Sequence, residues 1–156
     1  MDLYSTKSRI AEAFVESIFR RAQFDVRPYS PASPFRIGHE DFSPNFGVAR
    51  NGTGEPVLVE VKYRPYVEQF LALENQRRES SIFVLARKHW PELYFVLVTD
   101  HPGPGRSCFQ GIALAGAHAP FATVDLGALT ELRIFPQNVG DHERLLLRLF
   151  GLLTQG

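Results

Sequence analysis

The 156-residue chain carries 17 basic and 17 acidic residues, so its formal net charge is zero, and 44% of its residues are hydrophobic. That composition suits one globular domain over residues 1–156; the charge balance excludes the overall basicity of a dedicated nucleic-acid binder but leaves room for a local basic face. Cys108 is the single cysteine, no apolar run reaches membrane-spanning length and no apolar stretch follows Met1-Asp2, so the expectation is a cytoplasmic protein without disulfides or membrane contact.

Ser5 to Gln23 reads as an amphipathic helix, with Ile10, Phe14 and Ile18 at helical spacing and Val15 and Ala22 on the flank. Ser5 or Ser8 can cap its start. Glu12 and Glu16 lie one turn apart on it, and periodicity alone makes them a solvated pair near Arg9 and Arg20. Phe24 to Arg27 follows as a short strand, ended by Pro28. Ser30 to Asp41 contains Pro31 and Pro34, shows no period and reads as a loop. His39-Glu40-Asp41 collects three potential ligands, but consecutive side chains rarely converge on one ion, so a solvated loop is the reading.

Phe42 to Tyr63 is the centre of the chain. Asn51-Gly52-Thr53-Gly54 is a turn cluster between two β-rich segments, a hairpin signal. The second arm, Pro56 to Tyr63, is too apolar for a solvated edge, yet Glu60 and Lys62 sit two residues apart and therefore share a face. A four-residue loop, Asn51 to Gly54, puts Asn45 opposite Glu60 with both side chains on that face. Amide, carboxylate and amine then converge at the end of the hairpin.

Tyr66 to Arg78 is a helix with Val67, Phe70, Leu71 and Leu73 inward and Pro65 just ahead of it. Ser80 to Trp90 reads as a second, capped by Ser80, with Ile82, Leu85 and Ala86 inward. Together they form the crossover to a parallel strand. Arg77, Arg78, Arg87 and Lys88 make the one basic cluster, diluted by Glu74 and Glu79 into a solvated face. Leu93 to Thr99 has the near-continuous apolar run of a strand covered on both faces. Cys108 to Leu114 is another strand, Ala115 to Thr130 is ambiguous, and Glu131 to Phe135 adds an edge. Asp141 to Thr154 closes the chain as a helix burying Leu145, Leu146, Leu149, Phe150 and Leu153. Leu147 and Leu152 widen that stripe toward a partner such as a second copy.

Ser43-Pro44-Asn45-Phe46 followed by Glu60-Val61-Lys62 resembles the PD-(D/E)xK nuclease superfamily, with Asn45 where that family has the motif aspartate. The resemblance covers roughly the first hundred residues. It implies an α/β restriction-endonuclease-like fold, a central mixed sheet flanked by helices with an α-β-β-β-α-β core. It further implies a metal-dependent nuclease acting on nucleic acid, DNA above all, with Glu60, Lys62, Asn45 and Glu12 as catalytic residues. Glu60, Asn45 and Glu12 would hold Mg2+ or Mn2+, and Lys62 would position the attacking water. Gln76 matches a site-facing glutamine that some members carry.

Hard cations prefer charged oxygens, so Asn45 lowers the expected metal affinity. Asp41, four residues earlier, is the nearest acid, but lies about 13 Å away along a strand. The alternative is therefore a catalytically degenerate member serving as a DNA-binding, regulatory or protein-interaction module. No P-loop, no G-x-S-x-G elbow, no H-E-x-x-H and no zinc-ligand spacing occurs in the chain.

Overall fold

The structure, a computed structural model, describes residues 2–29, 35–37, 40–42, 44–50, 53–91, 93–113, 120–129 and 132–155. It opens with helix α1, Leu3–Arg21. Asp2 caps this helix by accepting from the Tyr4 N–H, while Ser5 donates its hydroxyl to the same carboxylate. An aspartate at the N-terminus of the helix dipole therefore takes the place expected of Ser5 or Ser8. Arg20 and Arg21 occupy the last turn, and Gln23, at a φ of 74°, turns the chain into β1, Phe24–Pro28.

The segment expected to be a loop after β1 instead contains two short strands, β2 (Phe35–Ile37) and β3 (Glu40–Phe42), paired antiparallel. Glu40 and Asp41 are thus strand residues, and His39 lies outside the described residues. Proline-rich flanks hide so short a pairing from any periodicity test.

The hairpin consists of β4 (Phe46–Arg50) and β5 (Thr53–Tyr63). Thr53 and Gly54 belong to β5, not to the turn, and the turn residues Asn51 and Gly52 lie outside the described residues. Near the turn Arg50 pairs with Thr53, but further on Val48 pairs with Val57 and Phe46 with Val59. The shift falls around Pro56, which has no N–H to give to a ladder. It moves the register by two, so Phe46 meets Val59 as a four-residue loop would have placed it, but the ladder stops there and does not pair Asn45 with Glu60.

Helices α2 (Val67–Arg77) and α3 (Ile82–His89), joined by a 3-10 turn at Arg78–Ser80, carry the chain across to β6, Tyr94–Val98, parallel to β5. Ser81, not Ser80, caps α3 by accepting from the Phe83 N–H. Strands β7 (Phe109–Ala113) and β8 (Ala122–Asp125) follow, and helix α4, Pro136–Gln155, ends the fold. The main sheet is mixed and six-stranded, in the order β1-β4-β5-β6-β7-β8. Its outer edge is β8, so the edge strand expected at Glu131–Phe135 is corrected: Leu132 lies in a 3-10 turn, Ile134 lies outside any strand, and both are buried in the core. Residues 114–119, 130 and 131, part of the ambiguous segment and its flanks, lie outside the described residues.

An apolar layer covers each face of the sheet. On one side α1 and α4 pack Val15, Ile18, Phe19, Leu146 and Phe150 against Val59, Val61, Tyr63, Val96 and Val98. On the other, α2 and α3 pack Val67, Phe83 and Ala86 against Phe95 and Leu97, with Leu58 of β5 joining them. Alternate residues of β6 serve both layers, which is why its sequence is apolar throughout. In α4, Leu146 is fully buried whereas Leu145, expected inside, is 56% exposed. Among the described residues no helix is long and apolar enough to cross a membrane.

Candidate functional site

Strand alternation explains the environment of Glu60. Val59, Val61 and Tyr63 point to the α1–α4 layer, so Glu60 and Lys62 share the other face with Leu58. Their parallel neighbours on β6 are Phe95 and Leu97, both members of that apolar layer. Glu60 is 4% exposed. Its Oε2 meets Lys62 Nζ at 3.1 Å, while Oε1 is buried and has no hydrogen-bond partner. Burial pushes the carboxyl up to about 7, with Glu12 adding to the rise and Lys62 and Arg64 opposing it. A buried carboxylate with one unpartnered oxygen is costly, and partial protonation near neutral pH is the physical response.

Asn45 departs from the expected geometry. Its backbone N–H donates to the Val59 carbonyl at 2.9 Å, and there the regular ladder ends. The Asn45 side chain then replaces backbone: Oδ1 accepts the Val61 N–H at 2.6 Å. Nδ2 donates to Glu12 Oε1 at 2.8 Å. The amide thus lies along the strand edge rather than converging with Glu60 on one face. Among the described residues no hydrogen bond joins Asn45 to Glu60.

Glu12 comes from α1, on the opposite side of the sheet, and reaches the group through Asn45 just beyond the start of β4. Burial raises its carboxyl, with the Asn45 hydrogen bond and the charges of Lys62 and Arg9 opposing that rise. Glu16, one turn along, is bound to Arg20 at 2.7 Å on the surface. Periodicity would have treated the two glutamates alike. Glu12, Asn45, Glu60 and Lys62 form one electrostatically coupled group, whereas Gln76 is exposed on α2. The side chain of Asp41 lies outside the described residues.

The donor chemistry does not make a full set for a hard cation. Among the described residues no group of three or more His, Cys, Asp or Glu side chains is placed to hold a metal ion. The Asn45 oxygen already receives a backbone proton, and its amide hydrogen points at the Glu12 oxygen a cation would need. Only Glu60 Oε1 stands as an uncommitted buried acceptor in this group.

A second group, which no local pattern announces, stands at the carboxyl ends of β5 and β6. Lys7, on α1, is buried and bound to Asp100 at 2.9 Å, with its ammonium over the rings of Tyr63 and Phe150. Tyr63 donates its hydroxyl to Asp100 at 2.8 Å. Burial alone would raise the Asp100 carboxyl, but Lys7 and Tyr63 outweigh it and hold the group below its ordinary value. Lys7 and Asp100 are separated by 93 residues, and nothing local pairs them. The basic cluster also changes meaning. Arg77 pairs with buried Glu74 and Arg87 donates to the Leu93 carbonyl, so both hold structure.

No protein-family model, no curated protein and no solved structure matches the chain.

Proposed function

We propose that the chain is a restriction-endonuclease-like domain whose catalytic centre has become a hydrogen-bonded node, and that it serves as a nucleic-acid-binding module, DNA being the favoured ligand. The observation that carries this reading is the double engagement of Asn45 with Glu12 and the Val61 N–H. A hydrogen bond there does the work a shared cation would do between two carboxylates: it keeps Glu12 at the strand end without repulsion. Lys62 meanwhile neutralises Glu60. The succession α1, β1, β4, β5, α2–α3, β6, with β2 and β3 as an insertion, supports the α-β-β-β-α-β core this reading needs.

Unpartnered Glu60 Oε1 favours a second reading, a metal-dependent phosphodiesterase in which that oxygen keeps affinity for Mg2+ or Mn2+. Calorimetric titration of the purified chain with Mn2+, with Glu60→Gln as control, separates the two. Absence of saturable binding in the parent, together with binding gained in Asn45→Asp, supports the degenerate module. Saturable binding in the parent that Glu60→Gln abolishes supports the enzyme. Exposed Leu145, Leu147 and Leu152 of α4 support a further contact with a second copy, which sedimentation over a range of concentrations tests.

A further inference from the structure

Just past Lys62 the chain builds a rigid aromatic shelf. Tyr66 and His101 are each 57% exposed, and their rings stand 5.4 Å apart at a tilt of 32°. The two loops that carry them are tied together. Arg64 N–H donates to the Val98 carbonyl, Thr99 Oγ1 donates to the Pro65 carbonyl, and the His101 N–H donates to Thr99 Oγ1. Thr99 is fully buried, so these ties are shielded from water. Asp100, fixed by Lys7 and Tyr63, accepts from His101 Nδ1 at 3.1 Å and so holds the imidazole in place.

A cation, Arg64, stands two residues before Tyr66 in the same loop. Arg64 donates to the Tyr63 carbonyl at 2.8 Å and to the Tyr4 hydroxyl, and its guanidinium lies 4.6 Å from the centre of the Phe70 ring. It is held in place rather than mobile, and its charge is felt at Glu60. The ring of Tyr4, 46% exposed, lies 5.9 Å from the same guanidinium. Exposed aromatic rings on a hydrogen-bonded backbone, with a hydrogen-bonded arginine two residues away in the chain, match what an unpaired base and its phosphate need: a stacking plane and one positive charge. The surface lies at the carboxyl ends of two parallel strands, where open α/β sheets bind ligands. It asks for little net positive charge, consistent with a chain of zero net charge.

We propose that Tyr66 and His101 form a stacking platform for an unpaired nucleobase of single-stranded nucleic acid, with Arg64 taking the adjacent phosphate. This rests on the nucleic-acid reading above and specifies its ligand. Binding is sequence-tolerant, since every base has a face to stack. Its salt dependence is shallow, with a log–log slope of about −0.7 for one phosphate contact.

The test uses the full chain and a fluorescein-labelled oligo-dT, read by anisotropy. An abasic oligonucleotide of equal length and a duplex serve as comparisons. The parent is expected to prefer oligo-dT over the abasic strand by about tenfold. Tyr66→Ala should erase that preference and Tyr66→Phe keep it. Tyr66 is exposed enough for truncation to leave the core intact; if its alanine variant still fails to fold, His101→Ala is held to the same expectation. Equal binding of oligo-dT and abasic strand by the parent, or an unchanged preference in the alanine variant, overturns the platform while leaving the nucleic-acid reading standing. Binding of neither single strand nor duplex overturns both.

Discussion

Asn45 and Glu12, thirty-three residues apart, are joined by a 2.8 Å hydrogen bond that crosses from the end of the hairpin to the first helix. The neutral amide is what makes the contact attractive. An aspartate at position 45 would face the Glu12 carboxylate with a second negative charge, and one of the two would have to take up a proton or share a cation.

Asn45→Asp is therefore expected to destabilise the metal-free protein by about 1–3 kcal/mol at neutral pH. Saturating Mn2+ should recover much of that loss, because a ligand at about a hundred times its Kd contributes roughly 2.7 kcal/mol. Urea unfolding with and without Mn2+ reads both numbers. An equally stable variant that ignores Mn2+ would show that no charge repulsion exists at this position.

Glu60 makes stability depend on pH in a defined direction. Its folded value of about 7 lies above the ordinary glutamate value of 4.5, so the folded state holds more protons than the unfolded state between those limits. Its contribution is fully present below about 4.5 and is lost as pH rises through 7. Relative to Glu60→Gln, the parent should lose on the order of 2–3 kcal/mol between pH 5 and pH 8. Urea midpoints for both proteins at the two pH values check this. Parallel pH profiles would mean that Glu60 is not buried as described.

Glu74 is 1% exposed and caps the next helix from within the fold, accepting from Ser81 Oγ at 3.0 Å and from the Ile82 N–H at 2.9 Å. Glu74→Ala leaves those donors without their acceptor and should cost about 2–4 kcal/mol. Glu74→Gln keeps one oxygen for them and should cost about 1 kcal/mol. Similar losses in the two variants would point to packing rather than hydrogen bonding as the contribution of this residue.

Neighbouring leucines in α4 should behave very differently. Leu146 is fully buried and Leu145 is 56% exposed. Leu146→Ala is expected to cost about 2–5 kcal/mol and Leu145→Ala within about 0.5 kcal/mol, measured on dilute protein. A large loss at Leu145 would require that its surface be covered in solution.

Local pattern alone determined a good part of this protein. Two-residue alternation put Glu60 and Lys62 on one face of β5, and a continuous apolar run marked β6 as covered on both sides. Helical spacing found α1, α2, α3 and α4 to within a few residues, apart from an earlier start of α4. These features depend on neighbours a few positions away, and a sequence displays such neighbours directly. The tertiary structure decided the rest. Whether Leu145 or Leu146 faces inward depends on which flank of α4 meets α1. The Asn45 side chain lies along the strand edge because the ladder fails there and Val61 needs an acceptor. Lys7 finds Asp100, and Glu12 parts company with Glu16, only once α1 lies across the sheet. The chemistry of each side chain is written in the sequence, but burial, partner and charge state are properties of contacts made far along the chain.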